Sequence, residues 1–304
     1  GFGFTELIVK ATPLILIGVG LSIGFKANVW NIGAEGQFTM GAIAGGGTAL
    51  FLNTQESFLV LPAVLLMGIL GGVVWGMIPA FLKTKFNANE ILTSLMLSYV
   101  ALLILSYLVH GPWRDPGGYN FPESEIFSDF AMLPILLEGT RLNLGTLFAL
   151  LSVLIIYILL SRTVLGYQFK VVGLASAAAK HAGFDRVKLI WLSMIISGGL
   201  AGLAGISEVS GTIGQLLPSV SPGYGFTAII VAFLGRLNPV GVLFAGLIMA
   251  LTYIGGENAQ IEIGLPAAVT GLFQGIILFY LLACDVLARY RLRYKPFLKA
   301  RDRE

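Results

Sequence analysis

The sequence predicts an all-α protein, a polytopic bundle of transmembrane helices. Three observations lead to this fold class. Hydrophobic residues make up 56% of the 304 residues and charged residues only 12%, which is about half the charged fraction of a soluble domain. Continuous apolar runs recur along the chain, and they are long enough to cross the roughly 30 Å hydrocarbon core of a bilayer as helices. The connectors between these runs are basic on one side only, as positive-inside membrane proteins are.

About nine apolar runs are candidate spans. The seventh run is short and interrupted by glycine, which indicates a broken or re-entrant helix. Glycines four residues apart recur in several runs, at 41 and 45, at 68, 72 and 76, at 198 and 202, and at 271 and 275. Such spacing lets helices approach closely in lipid. In chain order the candidate spans are 11–25, 36–54, 58–82, 90–109, 144–161, 189–206, 224–236, 239–254 and 266–286.

The distribution of basic residues predicts the orientation. If the C-terminus is cytoplasmic, 16 of the 19 Lys and Arg residues lie inside, and only Lys10, Arg114 and Arg141 lie outside. This asymmetry favours a single transmembrane domain over 1–288 and a basic cytoplasmic tail over 289–304. Nine spans then place Gly1 outside. Because a chain without a signal peptide does not easily begin outside, we expect one more span before Gly1, which gives ten in the full-length protein.

Two connectors are long enough to have roles of their own. The exterior loop 111–143 is rich in Pro, Gly and aromatic residues, which is typical of a structured loop. It either caps a pore or meets an exterior partner, or it only links two spans. The cytoplasmic loop 162–188 carries five basic residues and one acidic residue, Asp185.

The Ala-rich middle of the cytoplasmic loop, 174–182, predicts a short helix with a glycine at each end. Such a helix can dock into a groove on a soluble partner. The alternative is that the loop is a tether between two spans. The residues that would carry docking are Gly173, Ser176, Ala177, Ala178, Ala179, Lys180 and Gly183.

Polar residues between the first two runs are candidates for the translocation pathway. Asn31, Glu35 and Gln37 interrupt an otherwise apolar passage, and a carboxylate near the membrane interior is costly unless it has a function. The alternative is that these residues form a cytoplasmic turn and cap the helix that follows.

The sequence offers no catalytic residue and no metal site. It contains no Gly-Lys dipeptide and therefore no P-loop for nucleotide hydrolysis. His110 and His181 show no metal-ligand spacing. If transport by this chain is active, its energy comes from an ion gradient or from another subunit.

Several segments resemble one family of permeases. NVWNIGAEGQFTMGAIAG (28–45) resembles the N-I-G-x-E-G-Q signature of permease subunits of bacterial ABC importers, in the nucleoside branch of the branched-chain amino acid and simple-sugar permease superfamily. Three further segments resemble that branch in the same order. They are KFNANEILTSLMLSYVA (85–101), VGLASAAAKHAGFDRVK (172–188) and YGFTAIIVAFLGRLNPVGVLFAGLIMA (224–250).

The resemblance implies a ten-span permease in the bacterial plasma membrane. Its implied partners are cytoplasmic ABC ATPases, a second identical or homologous permease subunit, an exterior substrate-binding protein or lipoprotein, and membrane lipid, with no nucleic acid polymer. The chain itself would bind no cofactor, since the ATPase uses ATP and Mg. Loop 172–188 resembles an E-A-A-x-x-x-G coupling loop, with Gly183 as the glycine and Ser176 or Ala177 in place of the Glu.

The implied solute is a nucleoside, with a simple sugar as the alternative. A competing function is an ion-coupled secondary transporter of a small polar solute. The cytoplasmic loop 162–188 separates the two hypotheses, because a secondary transporter does not need it. In a secondary transporter, charged residues inside the membrane would instead bind the coupling ion.

Overall fold

The apolar runs form long helices joined mostly by short connectors. The computed structural model describes residues 2–289, so that the tail 290–304 lies outside the described residues. No strand occurs in 2–289, which confirms the all-α class. The helices are α1 (Phe2–Lys26), α2 (Ala34–Phe51), α3 (Val60–Phe86), α4 (Glu90–His110), α5 (Gly145–Arg162), α6 (Val164–Leu174), α7 (Ser176–His181), α8 (Arg186–Glu208), α9 (Tyr224–Leu234), α10 (Pro239–Ile263) and α11 (Ala267–Arg289).

Six helices in the described part are long and apolar enough to cross a membrane. They are α1, α3, α4, α5, α8 with its continuation to Ile213, and α10. α9 has 11 residues, or about 16 Å at 1.5 Å per residue, so it cannot cross alone. The sequence predicted that this run is broken or re-entrant, and the short helix fits that prediction. The count of nine spans and the orientation of the termini stay predictions.

The bundle is organised around α1 and α8. In the apolar stretch of α1, 83% of the residues are buried inside the chain, against 22% in α4. α8 packs on α1, α2 and α3. A helix apolar on all sides, as α1 is, suits a central position because it has no polar face to expose.

Glycines bring α2, α3 and α8 into close contact. A Cβ at Gly41 would collide with the backbone of Gly202, and one at Gly72 would collide with the carbonyl oxygen of Gly198. The glycines at 41, 72, 198 and 202, which belong to the predicted four-residue spacings, therefore serve helix packing. Gly271 and Gly275 differ, because a Cβ at either position would meet nothing within 4 Å.

The long loop after α4 folds back onto the end of α8. A π-helical turn, Val209–Ile213, extends α8 there. The backbone N–H of Leu133 donates to the carbonyl of Ser210 at 2.9 Å, and that of Phe127 donates to the carbonyl of Gly214 at 2.9 Å. Ser124 is fully buried, and its hydroxyl accepts from the N–H of Leu216 at 2.9 Å. The loop is therefore held against the bundle along much of its length.

Candidate functional site

Two helices begin inside the bundle and face each other. Residues 27–33 leave the end of α1 without helical structure and bring Asn31 against Ser197, near the middle of α8. α2 then starts at Ala34. α9 starts beside it, where the ring of Tyr224 lies edge-on to that of Phe38 with centroids 6.0 Å apart. Non-helical backbone at this depth requires protein around it, which the bundle supplies.

Glu35 joins the starts of these two helices. Its Oε2 accepts a hydrogen bond from the backbone N–H of Gly225 at 2.6 Å, and its side chain is 2% exposed. The first N–H groups of a helix lack intrahelical partners, and the helix dipole favours an anion at that end. The carboxylate lies in the first turn of α2 and at the first turn of α9, so both helix starts stabilise it.

Gly225 is required by this contact. A Cβ at position 225 would collide with the backbone of Ala34 and Glu35. α2 and α9 therefore meet with backbone against backbone. We call Asn31, Glu35, Gln37, Ser197 and Gly225 the helix-start junction.

The amides of Asn31 and Gln37 complete the junction. Asn31 Nδ2 donates to Gln37 Oε1 at 2.9 Å and to Ser197 Oγ at 2.9 Å, and Gln37 Nε2 donates back to Asn31 Oδ1 at 3.2 Å. Asn31 Oδ1 also accepts from the N–H of Gly33 at 3.0 Å. Buried amides paired in this way avoid the cost of unsatisfied groups in lipid.

The structure brings the three predicted pathway residues together. All three are buried, and their described hydrogen bonds go to residues of this chain. The alternative was that these residues cap α2. In the structure, Gly33 precedes α2 without a side-chain cap, and Glu35 instead caps the start of α9. Their contact with a solute stays a prediction.

A second polar cluster was missed in the sequence. The hydroxyl groups of Thr227 and Tyr253 lie 2.7 Å apart, and Thr227 Oγ1 donates to Gln274 Oε1 at 3.1 Å. Gln274 Nε2 is buried without a partner among the described residues. The signal that could have revealed the cluster is a glutamine inside the last apolar run.

The segment for which the sequence predicted coupling to an ATPase comprises α6, α7 and the turn to Asp185. We call it the coupling segment after that prediction, and it lies at the other end of α8 from the π-helical turn. α6 was not predicted as a helix. α7 runs over Ser176–His181 and is shorter than the predicted 174–182. Gly173 does not end a helix as predicted, because it lies inside α6 and the break comes at Ala175. Gly173 is instead a place of close approach, where a Cβ would collide with the carbonyl oxygen of Lys26.

Gly183 does end α7, as the sequence predicted. Its φ is +77°, a conformation that glycine adopts without strain. The N–H of Phe184 donates to the carbonyl of Ala179 at 3.0 Å, and the N–H of Gly183 donates to that of Lys180 at 3.1 Å. This is a Schellman motif. Asp185 then caps α8 by accepting from the N–H groups of Val187 and Lys188.

The exposed face of α7 has small side chains. Ser176, Ala177, Ala178 and Lys180 are exposed, whereas Ala179 is 2% exposed and packs inward. An open groove beside α7 is lined by Ser176, Ala177, Ala179, Lys180 and Phe184, among others. α7 thus presents a surface of small side chains beside this groove.

Within the described residues, no group of three or more His, Cys, Asp or Glu side chains could hold a metal. One pentapeptide, 20–24, reads G-L-S-I-G and matches the nucleophile-elbow pattern G-x-S-x-G. It lies inside α1, where Ser22 is fully buried and donates to the carbonyl of Val19. A nucleophile elbow needs an exposed serine on a strand-to-helix turn, so this serine has a structural role.

Comparison with known proteins agrees with the architecture. One solved structure, titled as an inward-facing conformation of a putative metal-chelate type ABC transporter, superposes with a TM-score of 0.55 over 92% of this chain and 85% of that chain. The two sequences are 19% identical, so this likeness shows the fold alone.

Relatives in sequence are more informative. A glucose ABC transporter permease protein of Haloferax volcanii is 39% identical over 95% of this chain and 78% of its own length. A guanosine ABC transporter permease protein of Bacillus subtilis is 32% identical, with 95% and 82% covered. A nucleoside ABC transporter permease protein of Lactococcus lactis is 28% identical, with 91% and 78% covered.

The family model described as branched-chain amino acid transport system, permease component, matches residues 3–282. That range contains both the helix-start junction and the coupling segment. The motifs at 28–45 and 224–250, which resemble this family, lie inside the matched range. The first helical turns of these two motifs meet at Glu35 and Gly225. The chain belongs to the family of branched-chain amino acid transport system permease components.

Proposed function

We propose that this chain is the membrane-spanning subunit of an ATP-driven importer for nucleosides in the plasma membrane. Two of its relatives, from Bacillus subtilis and Lactococcus lactis, are named as guanosine and nucleoside ABC transporter permeases. Such a permease works with cytoplasmic ATPase subunits and an exterior substrate-binding protein. A second permease subunit completes the pathway in this proposal.

The exposed face of α7 is the observation that carries the proposal. A transport subunit that lacks a P-loop must receive the energy of ATP from another chain. A short helix ended by a Schellman turn and capped into α8 by Asp185 passes movement directly to a helix at the centre of the bundle. Ala177 and Ala178 leave room for close seating on a partner.

The helix-start junction supports a role in opening and closing the pathway. In membrane transporters, helices that begin at mid-depth surround substrate sites, and their N-termini point toward those sites. Here α2 and α9 share one carboxylate, so that any separation of the two helices breaks the bond between Glu35 and Gly225. Asn31 of the junction is hydrogen-bonded to Ser197 of α8. In this proposal, a movement of α8 therefore changes the contact between α2 and α9.

A simple sugar is the second candidate solute. The specific observation in its favour is the 39% identity to a glucose ABC transporter permease protein, which exceeds the 32% identity to the guanosine permease. A nucleoside and a sugar share a ring with several hydroxyl groups, and amide and hydroxyl side chains bind such groups.

The test is uptake in membrane vesicles that contain this chain together with a second permease subunit, an ABC ATPase and a substrate-binding protein from the same organism. We expect labelled guanosine to enter only when ATP is supplied, and excess unlabelled guanosine to compete while glucose does not. Competition by glucose alone would favour the sugar importer. Uptake without ATP that follows an ion gradient would contradict the importer and favour the secondary transporter.

A further inference from the structure

A small polar cavity lies where α1, the loop before α5 and the end of α8 meet. Its polar lining consists of Thr12, Asn143, Ser207, Glu208 and Thr212, and three apolar residues close it. The space open to the centre of a water-sized sphere is about 10 Å³. That is roughly the space that a single water or one small cation needs.

One oxygen in this lining has no partner. Ser207 is 3% exposed, and its Oγ is buried without a hydrogen-bond partner among the described residues. The other oxygens keep lone pairs: Asn143 Oδ1 accepts one bond, from the N–H of Gly145 at 2.9 Å. Thr12 Oγ1 donates to the carbonyl of Ile8 at 2.9 Å and lies 3.1 Å from the hydroxyl oxygen of Thr146, which can donate to it, so that one lone pair remains. The cavity is thus lined by oxygen atoms with free lone pairs, and the Ser207 hydroxyl is the unpaired one.

Glu208 has no ion pair of its own in the part of the chain that the structure describes. The charged groups that act on it are Lys10 and Arg141, which are positive, and Glu257, which is negative. Lys10 is already paired with Glu257 at 2.7 Å, and Arg141 with Glu6 at 3.7 Å. Both cations are therefore engaged by other carboxylates, and the carboxyl group of Glu208 lines the cavity without an ion-pair partner among the described residues.

The backbone at this place is unusual as well. Val209–Ile213 form a π-helical turn directly after Glu208, and such turns occur often at functional sites. Arg141 Nη2 reaches the carbonyl of Thr212 at 3.4 Å. The turn brings Thr212 to the same cavity as Ser207 and Glu208. In a regular helix Glu208 and Thr212, four residues apart, would also share a face, whereas Ser207 and Thr212, five residues apart, would not.

We propose that this cavity binds one monovalent cation of sodium type. An oxygen-lined site with a single carboxylate suits a hard cation of one charge, and a cation there would pair with the carboxylate of Glu208. Calcium and magnesium need more oxygen ligands or a stricter geometry than this cavity offers. The cation would connect α1, the loop before α5 and the π-helical turn, and it would stabilise the folded chain whatever the solute is.

The test measures the thermal unfolding midpoint of the purified protein in detergent. Sodium chloride replaces choline chloride stepwise at constant total salt, and tryptophan fluorescence reports unfolding. A cation that binds only the folded state raises the midpoint as its concentration rises. We expect a saturable rise for the wild type and no rise for Glu208→Gln. Glu56→Gln, an exposed carboxylate in the connector before α3, is the matched control and should behave like the wild type.

A second variant decides the matter if Glu208→Gln does not fold. Ser207→Ala removes one ligand and no charge, so the half-saturating sodium concentration should increase about tenfold. Equal midpoints in sodium and choline for the wild type would overturn the proposal and leave the cavity to water. A half-saturating sodium concentration that stays at the wild-type value in Ser207→Ala, or a wild-type rise in Glu208→Gln, would overturn the site. A rise with calcium but not with sodium would overturn the choice of ion.

Discussion

The helix-start junction and the coupling segment both interrupt the apolar sequence, but they differ in the burial and the bonding of their side chains. In the junction, Asn31, Glu35 and Gln37 are buried and bonded to their own chain. In the coupling segment, Ser176, Ala177 and Ala178 are exposed on a helix that packs on the rest of the chain through Ala179. The side chains of the junction thus stabilise the fold of this chain, whereas the exposed side chains of α7 are free to contact a partner.

The difference predicts opposite consequences of substitution. Changes in the junction should lower the stability of the chain itself, and transport should fall with it. Changes on the exposed face of α7 should leave the chain folded and act only on assembly with the ATPase. The expected effect on folding decreases from Gly225 through Glu35 to Ala178.

Gly225→Ala should have the largest effect. The added Cβ would collide with the backbone of Glu35, and backbone cannot move aside as a side chain can. Overpacking usually costs about 1–3 kcal/mol and sometimes more, so we expect little monodisperse protein in size-exclusion chromatography. Gly275→Ala is the control, since its Cβ would meet nothing within 4 Å and alanine favours a helix. Equal yields of the two variants would contradict the close contact of α2 and α9.

Glu35→Gln should have an intermediate effect. The amide keeps an acceptor for the N–H of Gly225 but loses the charge at the start of α9. Hydrogen bonds to charged groups contribute about 1.5–3 kcal/mol, and neutral ones about 1 kcal/mol, so the loss should be roughly 1 kcal/mol. We expect a lower unfolding midpoint and slower solute uptake at an unchanged level of bound ATPase.

The control for Glu35→Gln is Glu90→Gln. That change breaks the ion pair with Lys83, 2.8 Å long at the turn between α3 and α4, and partly exposed pairs contribute about 0–1 kcal/mol. Uptake at the wild-type rate by both variants would mean that Glu35 only caps a helix.

Much of this fold follows from the sequence, and the missing parts share one cause. Apolar length and glycine spacing predicted the helices and the close approach of helices at glycines such as Gly72, because both depend on local pattern. They also suggested packing for Gly271 and Gly275, where an added Cβ would meet no described residue within 4 Å. Pattern shows that a glycine can permit close approach, but not whether a neighbour is there.

The site shows the same limit. The carboxylate of Glu35 stood out because a charge near the membrane interior needs compensation. Its partner, the N–H of Gly225, lies 190 residues away in sequence, and a backbone group has no signature in a sequence. α6 was missed because loop 162–188 was interpreted by its charge, whereas Phe169 and Val172 bury one face of that helix.

In the proposed function, the coupling segment binds a separate ATPase and transmits its movement to the bundle. Ala178→Trp tests it most directly, because Ala178 is exposed and its replacement adds bulk only to the surface. Ala179→Trp cannot serve, since Ala179 is 2% exposed and a tryptophan there would disturb the chain itself. Gln55→Trp, at an exposed position in the connector before α3, controls for the presence of a surface tryptophan.

The measurement is the amount of ATPase that co-purifies with each variant, together with solute uptake in the same membranes. Overpacking of about 1–3 kcal/mol at the contact should weaken ATPase binding roughly 5- to 150-fold. We expect Ala178→Trp to fold, to lose the ATPase and to lose uptake, while Gln55→Trp retains both. Wild-type levels of ATPase and uptake in Ala178→Trp and also in Ala177→Trp would show that the segment is only a tether.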